Sequence, residues 1–183
     1  MNKIQIAGKE FEILLENDQI SKRTRLIAIQ IDVDYESRCP VFIGVLDGSF
    51  IFMADLLKEI HVSCEIGFIK VSSYSGTEST GKVKKIFGLP EYLHNRDVIV
   101  VEDIVDTGLT LNYILTEIHK QKPSSVTVCT LLLKPGALKT RIEEPEYVGF
   151  EIGNEFVVGY GLDYDGLGRN LKDIYRSKTV AVP

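Results

Sequence analysis

The sequence predicts an α/β fold with a mostly parallel central sheet flanked by helices, and three observations carry that prediction. Short continuous apolar runs recur: VFIGVL at 41–46, VIVV at 98–101 and VTVCTLLLK at 126–134. Such runs suit strands of a parallel sheet covered on both faces. Between them lie stretches with helical spacing, as in Leu111, Ile114, Leu115 and Ile118. Strands that alternate with helices are the pattern of an α/β fold. At 183 residues, one domain spanning 1–183 is expected, large enough to bury about 70% of its unfolded surface.

Taken in order, residues 17–33 (NDQISKRTRLIAIQIDV) read as an early helix with Asn17 or Asp18 as its cap. The strand at 41–46 turns through Asp47-Gly48-Ser49 into a helix over FIFMADLLKEI, and CEIGFIKV at 64–71 is the next strand. Residues 72–85, SSYSGTESTGKVKK, are rich in Ser, Gly, Thr and Lys and show no periodicity. They read as a long loop, and loops of that length are either surface connections or active-site lids. The strand at 98–101 leads into a helix over 109–121, followed by the strand at 126–134. The chain closes with YVGFEI, FVVGYGLDYDG and a short LKDIY.

Composition narrows the function. Apolar content of 44% with 26% charged residues is that of an ordinary globular protein. No apolar run approaches the roughly 18 residues of a membrane span, and the N-terminus shows no secretory h-region. Cys39, Cys64 and Cys129 lie in or beside apolar segments and read as free thiols in a reducing compartment. A cytoplasmic location without a membrane partner follows as the expectation. The net charge of −5 argues against a nucleic-acid surface.

The most informative stretch is VIVVEDIVDTGLTL at 98–111. A buried strand runs into Glu102 and Asp103, then turns through Asp106, Thr107, Gly108, Leu109 and Thr110 into a helix. Backbone N–H groups of such a loop, with roughly half a positive charge at the helix N-terminus, can hold a phosphate. The acids can accept hydrogen bonds from sugar hydroxyls or sit near Mg²⁺. As an ordinary turn, Asp106 or Thr107 would simply cap the helix. That reading leaves the paired acids at the strand end unexplained.

This stretch resembles the phosphoribosyl-pyrophosphate motif of the type I phosphoribosyltransferases, a strand followed by two acids and a D-T-G-x-T loop. The resemblance implies that family's fold, with a small hood formed by the terminal segments. It also implies Asp106 as the catalytic general base or electrostatic partner. Glu102 and Asp103 would hold the ribose hydroxyls directly or through Mg²⁺, and Thr107, Gly108, Leu109 and Thr110 would cradle the 5′-phosphate. Leu46-Asp47-Gly48-Ser49 is similar to the family's pyrophosphate loop, whose first bond is often a non-proline cis peptide. Lys is often found where this chain has Asp47. A carboxylate cannot neutralise pyrophosphate, so that loop would act through backbone N–H groups or Mg²⁺.

The same resemblance makes residues 72–85 a mobile lid, with Ser73 and Tyr74 at the site. It assigns Lys134 to the exocyclic oxygen of a 6-oxopurine, since an ammonium donates hydrogen bonds and accepts none. Phe156 would stack on the purine, and Val157 would read its edge through the backbone. Asp163 would serve a second Mg²⁺ and the base edge, and Arg169 would contact pyrophosphate through its guanidinium fork. Asp163 and Arg169 can also be read as a surface ion pair. The implied reaction joins hypoxanthine or guanine to phosphoribosyl pyrophosphate, giving IMP or GMP, in a homodimer or homotetramer. A non-catalytic regulator on the same fold is the rival. The acidic charge and the presence of Lys134, Phe156 and Asp163 weigh against it.

Overall fold

A computed structural model describes residues 3–73, 83–142 and 144–177. Strands β1 (Lys3–Ile6) and β2 (Lys9–Leu15) form a hairpin that the sequence reading did not assign. Its turn, Ala7-Gly8, has positive φ at both residues (46° and 76°), the conformation that matches the twist of a two-residue hairpin. Helix α1 (Asn17–Asp34) follows. Its cap is Glu16, whose backbone N–H donates to Gln19 Oε1 at 2.9 Å. Asn17, expected as a cap, instead donates its backbone N–H to Asp173 Oδ1 at 2.8 Å. A distant segment thus supplies the acceptor, which local sequence cannot reveal.

Strand β3 (Val41–Leu46), helix α2 (Phe50–Glu59) and strand β4 (Glu65–Ser73) lie where the apolar pattern puts them. Strand β5 (Val83–Phe87) pairs antiparallel with β4. Both ends of the stretch read as an irregular loop are therefore extended, and residues 74–82, Tyr74 among them, lie outside the described residues. Strand β6 (Asp97–Val105) is longer than its apolar run and includes Glu102 and Asp103. Helix α3 (Leu109–His119), strand β7 (Ser125–Leu133), a single 3-10 turn at Pro135–Ala137 and strand β8 (Tyr147–Glu151) complete the main body. Short strands β9 (Val157–Val158) and β10 (Ile174–Ser177) end it.

The main sheet has the order β5-β4-β3-β6-β7-β8. All its pairs are parallel except β4–β5. Side chains alternate between its faces. Phe42, Ile99 and Val101 pack with Ile27, Ile31, Phe52 and Leu56 of α1 and α2. Val41, Ile43, Val98 and Val100 pack with Leu111, Ile114 and Ile118 of α3. Cover on both faces explains the unbroken apolar runs. The order β1-β2-β10-β9 makes a second, smaller sheet from the two ends of the chain, the hood that the resemblance implies.

From β3 the sheet grows toward β4 on one side, and from β6 toward β7 and β8 on the other. The carboxyl ends of β3 and β6 thus meet where strand order reverses, the place where open α/β sheets bind ligands. No helix among the described residues is long and apolar enough to cross a membrane.

Candidate active site

Two turns leave the sheet at this switch point, and glycines let them approach. Gly48 follows β3, and a Cβ there would collide with the Asp103 carboxylate of β6. Gly161, at φ +99°, has its hydrogen-only face against the Gly48 carbonyl. One turn is thus clamped between β6 and the hood loop. The Leu46–Asp47 bond is cis, as the resemblance implies. Ser49 is fully buried and anchors the turn by donating its hydroxyl to Val45 O at 2.7 Å.

Val98 to Val101 are all fully buried, and the burial continues into Glu102, which is 5% exposed. Burial pushes the Glu102 carboxyl well above the carboxylate range, and the charge of Asp103 pushes it further. Burial also raises Asp103 to about 6, although the N–H groups of Asp103 and Ile104 and the Arg169 guanidinium pull the other way. A pair so reluctant to ionise gains from a nearby cation. Hard oxygen donors of this kind fit Mg²⁺. Among the described residues, no three His, Cys, Asp or Glu side chains gather into a metal cage. Mg²⁺ needs no such cage, because it binds through one or two carboxylates, waters and substrate oxygens.

After β6 the chain bounds a cavity of about 200 Å³ lined by Glu102, Asp106, Thr107, Gly108, Thr110 and Leu111, among others. The cap of α3 is Gly108, at φ 78°, rather than Asp106 or Thr107. Its left-handed backbone leaves both of those residues outside the helix. The first N–H groups of a helix have no partner within it. Of these, the N–H groups of Thr110 and Leu111 belong to residues that line the cavity, while Leu109 N–H is directed to Thr107 Oγ1 at 3.5 Å.

Strand β7 runs parallel to β6 and ends beside it at Leu133, opposite Val105. Lys134 follows, 6% exposed, and its Nζ donates to Asp106 Oδ2 at 2.8 Å. Lys134 N–H donates to Val105 O at 2.9 Å, and Lys139 N–H to Thr107 O at 3.0 Å, so the two loops are laced together. Two residues 28 apart in sequence thus form one acid–ammonium pair.

The hood contributes the rest. Arg169 pairs with Asp163 at 2.7 Å and donates to Gly161 O at 2.6 Å. The ion pair that the sequence allowed is therefore present, on the loop that covers Gly48. Phe156 packs against Phe11 and edge-on to Tyr164, with ring centroids 6.4 and 5.6 Å away. Val157 is buried and pairs with Arg176 in the hood sheet. Ser73 ends β4 with its backbone opposite Val83. The sequence reading missed Gly161 and Lys70. Lys70 Nζ donates to both Asp47 oxygens, at 2.8 and 2.6 Å. Only strand register, which sets Lys70 opposite Leu46, reveals that partner.

Comparison with known proteins gives a consistent result. The phosphoribosyl transferase domain family matches residues 10–165. A hypoxanthine-guanine phosphoribosyltransferase of Staphylococcus aureus is 45% identical over 161 residues, 87% of this chain and 89% of that protein. The bifunctional protein TilS/HprT of Listeria monocytogenes is also 45% identical, but this chain spans only 25% of its length. A crystal structure of an S. aureus hypoxanthine phosphoribosyltransferase superposes with a TM-score of 0.86 at 44% identity, covering 91% of each chain. One of a Bacillus anthracis hypoxanthine-guanine phosphoribosyltransferase gives 0.84 at 41% identity, covering 92% of this chain and 97% of that one. A cavity at the sheet's switch point, an acid–ammonium pair that includes one of its lining residues and these relatives agree: the chain belongs to the phosphoribosyl transferase domain family, among its hypoxanthine-guanine phosphoribosyltransferases.

Proposed function

We propose that this protein transfers the 5-phosphoribosyl group from phosphoribosyl pyrophosphate to hypoxanthine or guanine, releasing pyrophosphate and yielding IMP or GMP. The observation that carries the reading is the Asp106–Lys134 pair, 2.8 Å apart, whose acid lines the cavity that follows β6. The cavity suits the 5′-phosphate, with helix N–H groups and the Thr107 and Thr110 hydroxyls as donors. Glu102 and Asp103 then face the ribose.

Lys134 has three N–H donors, and Asp106 takes one of them. The rest favour the exocyclic oxygen of a 6-oxopurine over the amino group of adenine, which selects 6-oxopurines. Asp106, held in place by Lys134, accepts the proton of the purine or balances the charge that develops on it. Phe156 offers a stacking face, worth roughly 1–3 kcal/mol for a base on an aromatic ring, and the Val157 backbone lies along the base edge. Arg169 faces the pyrophosphate across Gly48. Ser73, at the end of β4, and Tyr74, outside the described residues, are assigned to phosphoribosyl pyrophosphate.

Mg²⁺ fits Glu102, Asp103 and Asp163 as oxygen donors, and when bound it neutralises charge on the departing pyrophosphate. One phosphoribosyltransferase domain over 1–183, a cytoplasmic location and a homo-oligomer complete the reading. Leu26, Ile29 and Val33 on α1 and Ile66 and Phe68 on β4 are exposed apolar side chains that support self-association.

Nucleotide formation with phosphoribosyl pyrophosphate and Mg²⁺ tests the reading, with hypoxanthine, guanine, xanthine and adenine offered in parallel. IMP and GMP without AMP are expected. AMP formation would overturn the role of Lys134. No product from any base, with phosphoribosyl pyrophosphate still bound, would favour a regulator.

A further inference from the structure

We propose that Lys70 binds the pyrophosphate group of phosphoribosyl pyrophosphate and that Asp47 is the positioning residue that holds it there. The inference rests on the reading of the site given above. The turn at residues 46–49 carries a carboxylate, Asp47, and a bare carboxylate would repel pyrophosphate. Here it is not bare. Lys70 Nζ donates to Asp47 Oδ1 at 2.8 Å and Oδ2 at 2.6 Å. Lys70 reaches the turn from the adjacent parallel strand, where it stands opposite Leu46.

An ammonium has three N–H donors, so two bonds to Asp47 leave one for a phosphate oxygen. Both side chains stay open to a ligand, at 37% exposure for Lys70 and 47% for Asp47. An exposed pair of this kind adds little to stability, so stability does not account for its two-point geometry. The neighbouring residue, Gly48, touches Asp103 on one side and Gly161 on the other. Arg169 is held to the carbonyl of that same Gly161 and to Asp163. The turn is thus flanked by two cations, each steadied by its own aspartate. Lys70 supplies from a neighbouring strand the positive charge that position 47 itself lacks.

Calorimetric titration of the full chain with magnesium pyrophosphate, paired with steady-state kinetics, tests this. Lys70→Met should weaken pyrophosphate binding and raise KM for phosphoribosyl pyrophosphate about tenfold, the effect of losing one charge-assisted hydrogen bond. KM for hypoxanthine should stay unchanged. Lys70→Arg should recover most of the loss. The exchange D47K/K70D, which keeps the pair and moves the cation onto the turn, should bind pyrophosphate as wild type does. A purely structural pair would change melting temperature and leave the two KM values in proportion. If wild type binds and turns over while Lys70→Met matches it, the role of Lys70 is overturned and the site stands. If wild type neither binds magnesium pyrophosphate nor forms nucleotide, the reading of the site falls with it.

Discussion

Replacing Asp103 by Asn should stabilise the ligand-free protein at neutral pH while removing its activity. The Asp103 carboxyl rises from 3.8 to about 6 on folding, with burial as the largest cause. A difference of that size corresponds to about 3 kcal/mol between its protonated and ionised forms. The folded state holds this proton more tightly than the unfolded chain does. Below pH about 3 both states are protonated and the group contributes nothing. As pH rises toward 6 the unfolded chain ionises first and stability falls, and above 6 the full penalty is present. Asn carries no charge, and its amide oxygen can still accept the N–H groups of Asp103 and Ile104. The stability gap between variant and wild type should therefore widen by about 2 kcal/mol from pH 4 to pH 7. Loss of the neighbouring charge also relieves Glu102, which acts in the same direction. Urea unfolding of metal-free protein at pH 4, 5, 6, 7 and 8 would measure the gap. A gap constant across that range would refute the argument, because a mere packing change has no pH dependence.

Gly48→Ala should drive a Cβ into the Asp103 carboxylate, and kcat/KM for phosphoribosyl pyrophosphate should fall about 100-fold, as for a misplaced reacting group, with circular dichroism confirming an intact fold. Asp106→Asn keeps an acceptor for Lys134 but not the charge, so kcat should drop by about 10²–10⁴ while calorimetry finds phosphoribosyl pyrophosphate binding largely intact; undiminished turnover would remove Asp106 from the mechanism. Tyr160→Phe removes the hydroxyl that donates to Asp55 Oδ2 at 2.7 Å in the core. It should cost about 1 kcal/mol, seen as a melting temperature about 2–4 °C lower.

Residues 98–111 show why so much of the site could be read from the chain. Strand, acids, loop and helix are contiguous there, so local pattern and chemistry coincide in one segment. The structure revises it in detail: β6 continues through the acids to Val105, Gly108 is the cap, and α3 ends at His119. The hairpin at β1 and β2 escaped because its strands pack only when β10, from the far end of the chain, completes their sheet. Val83 to Lys85 escaped for a similar reason: a polar edge strand shows its nature only beside β4.

By itself the sequence determined the α/β class, the order of the central strands and helices, the phosphate loop and the identity of the acids, because each depends on periodicity or on chemistry within a few residues. The tertiary structure alone decided the juxtapositions: Gly48 under Asp103, Gly161 against Gly48, Lys134 on Asp106 and Lys70 on Asp47. Parallel strands bring residues together through crossovers of a dozen residues or more. Partners set by register and strand order therefore leave no trace in local sequence spacing.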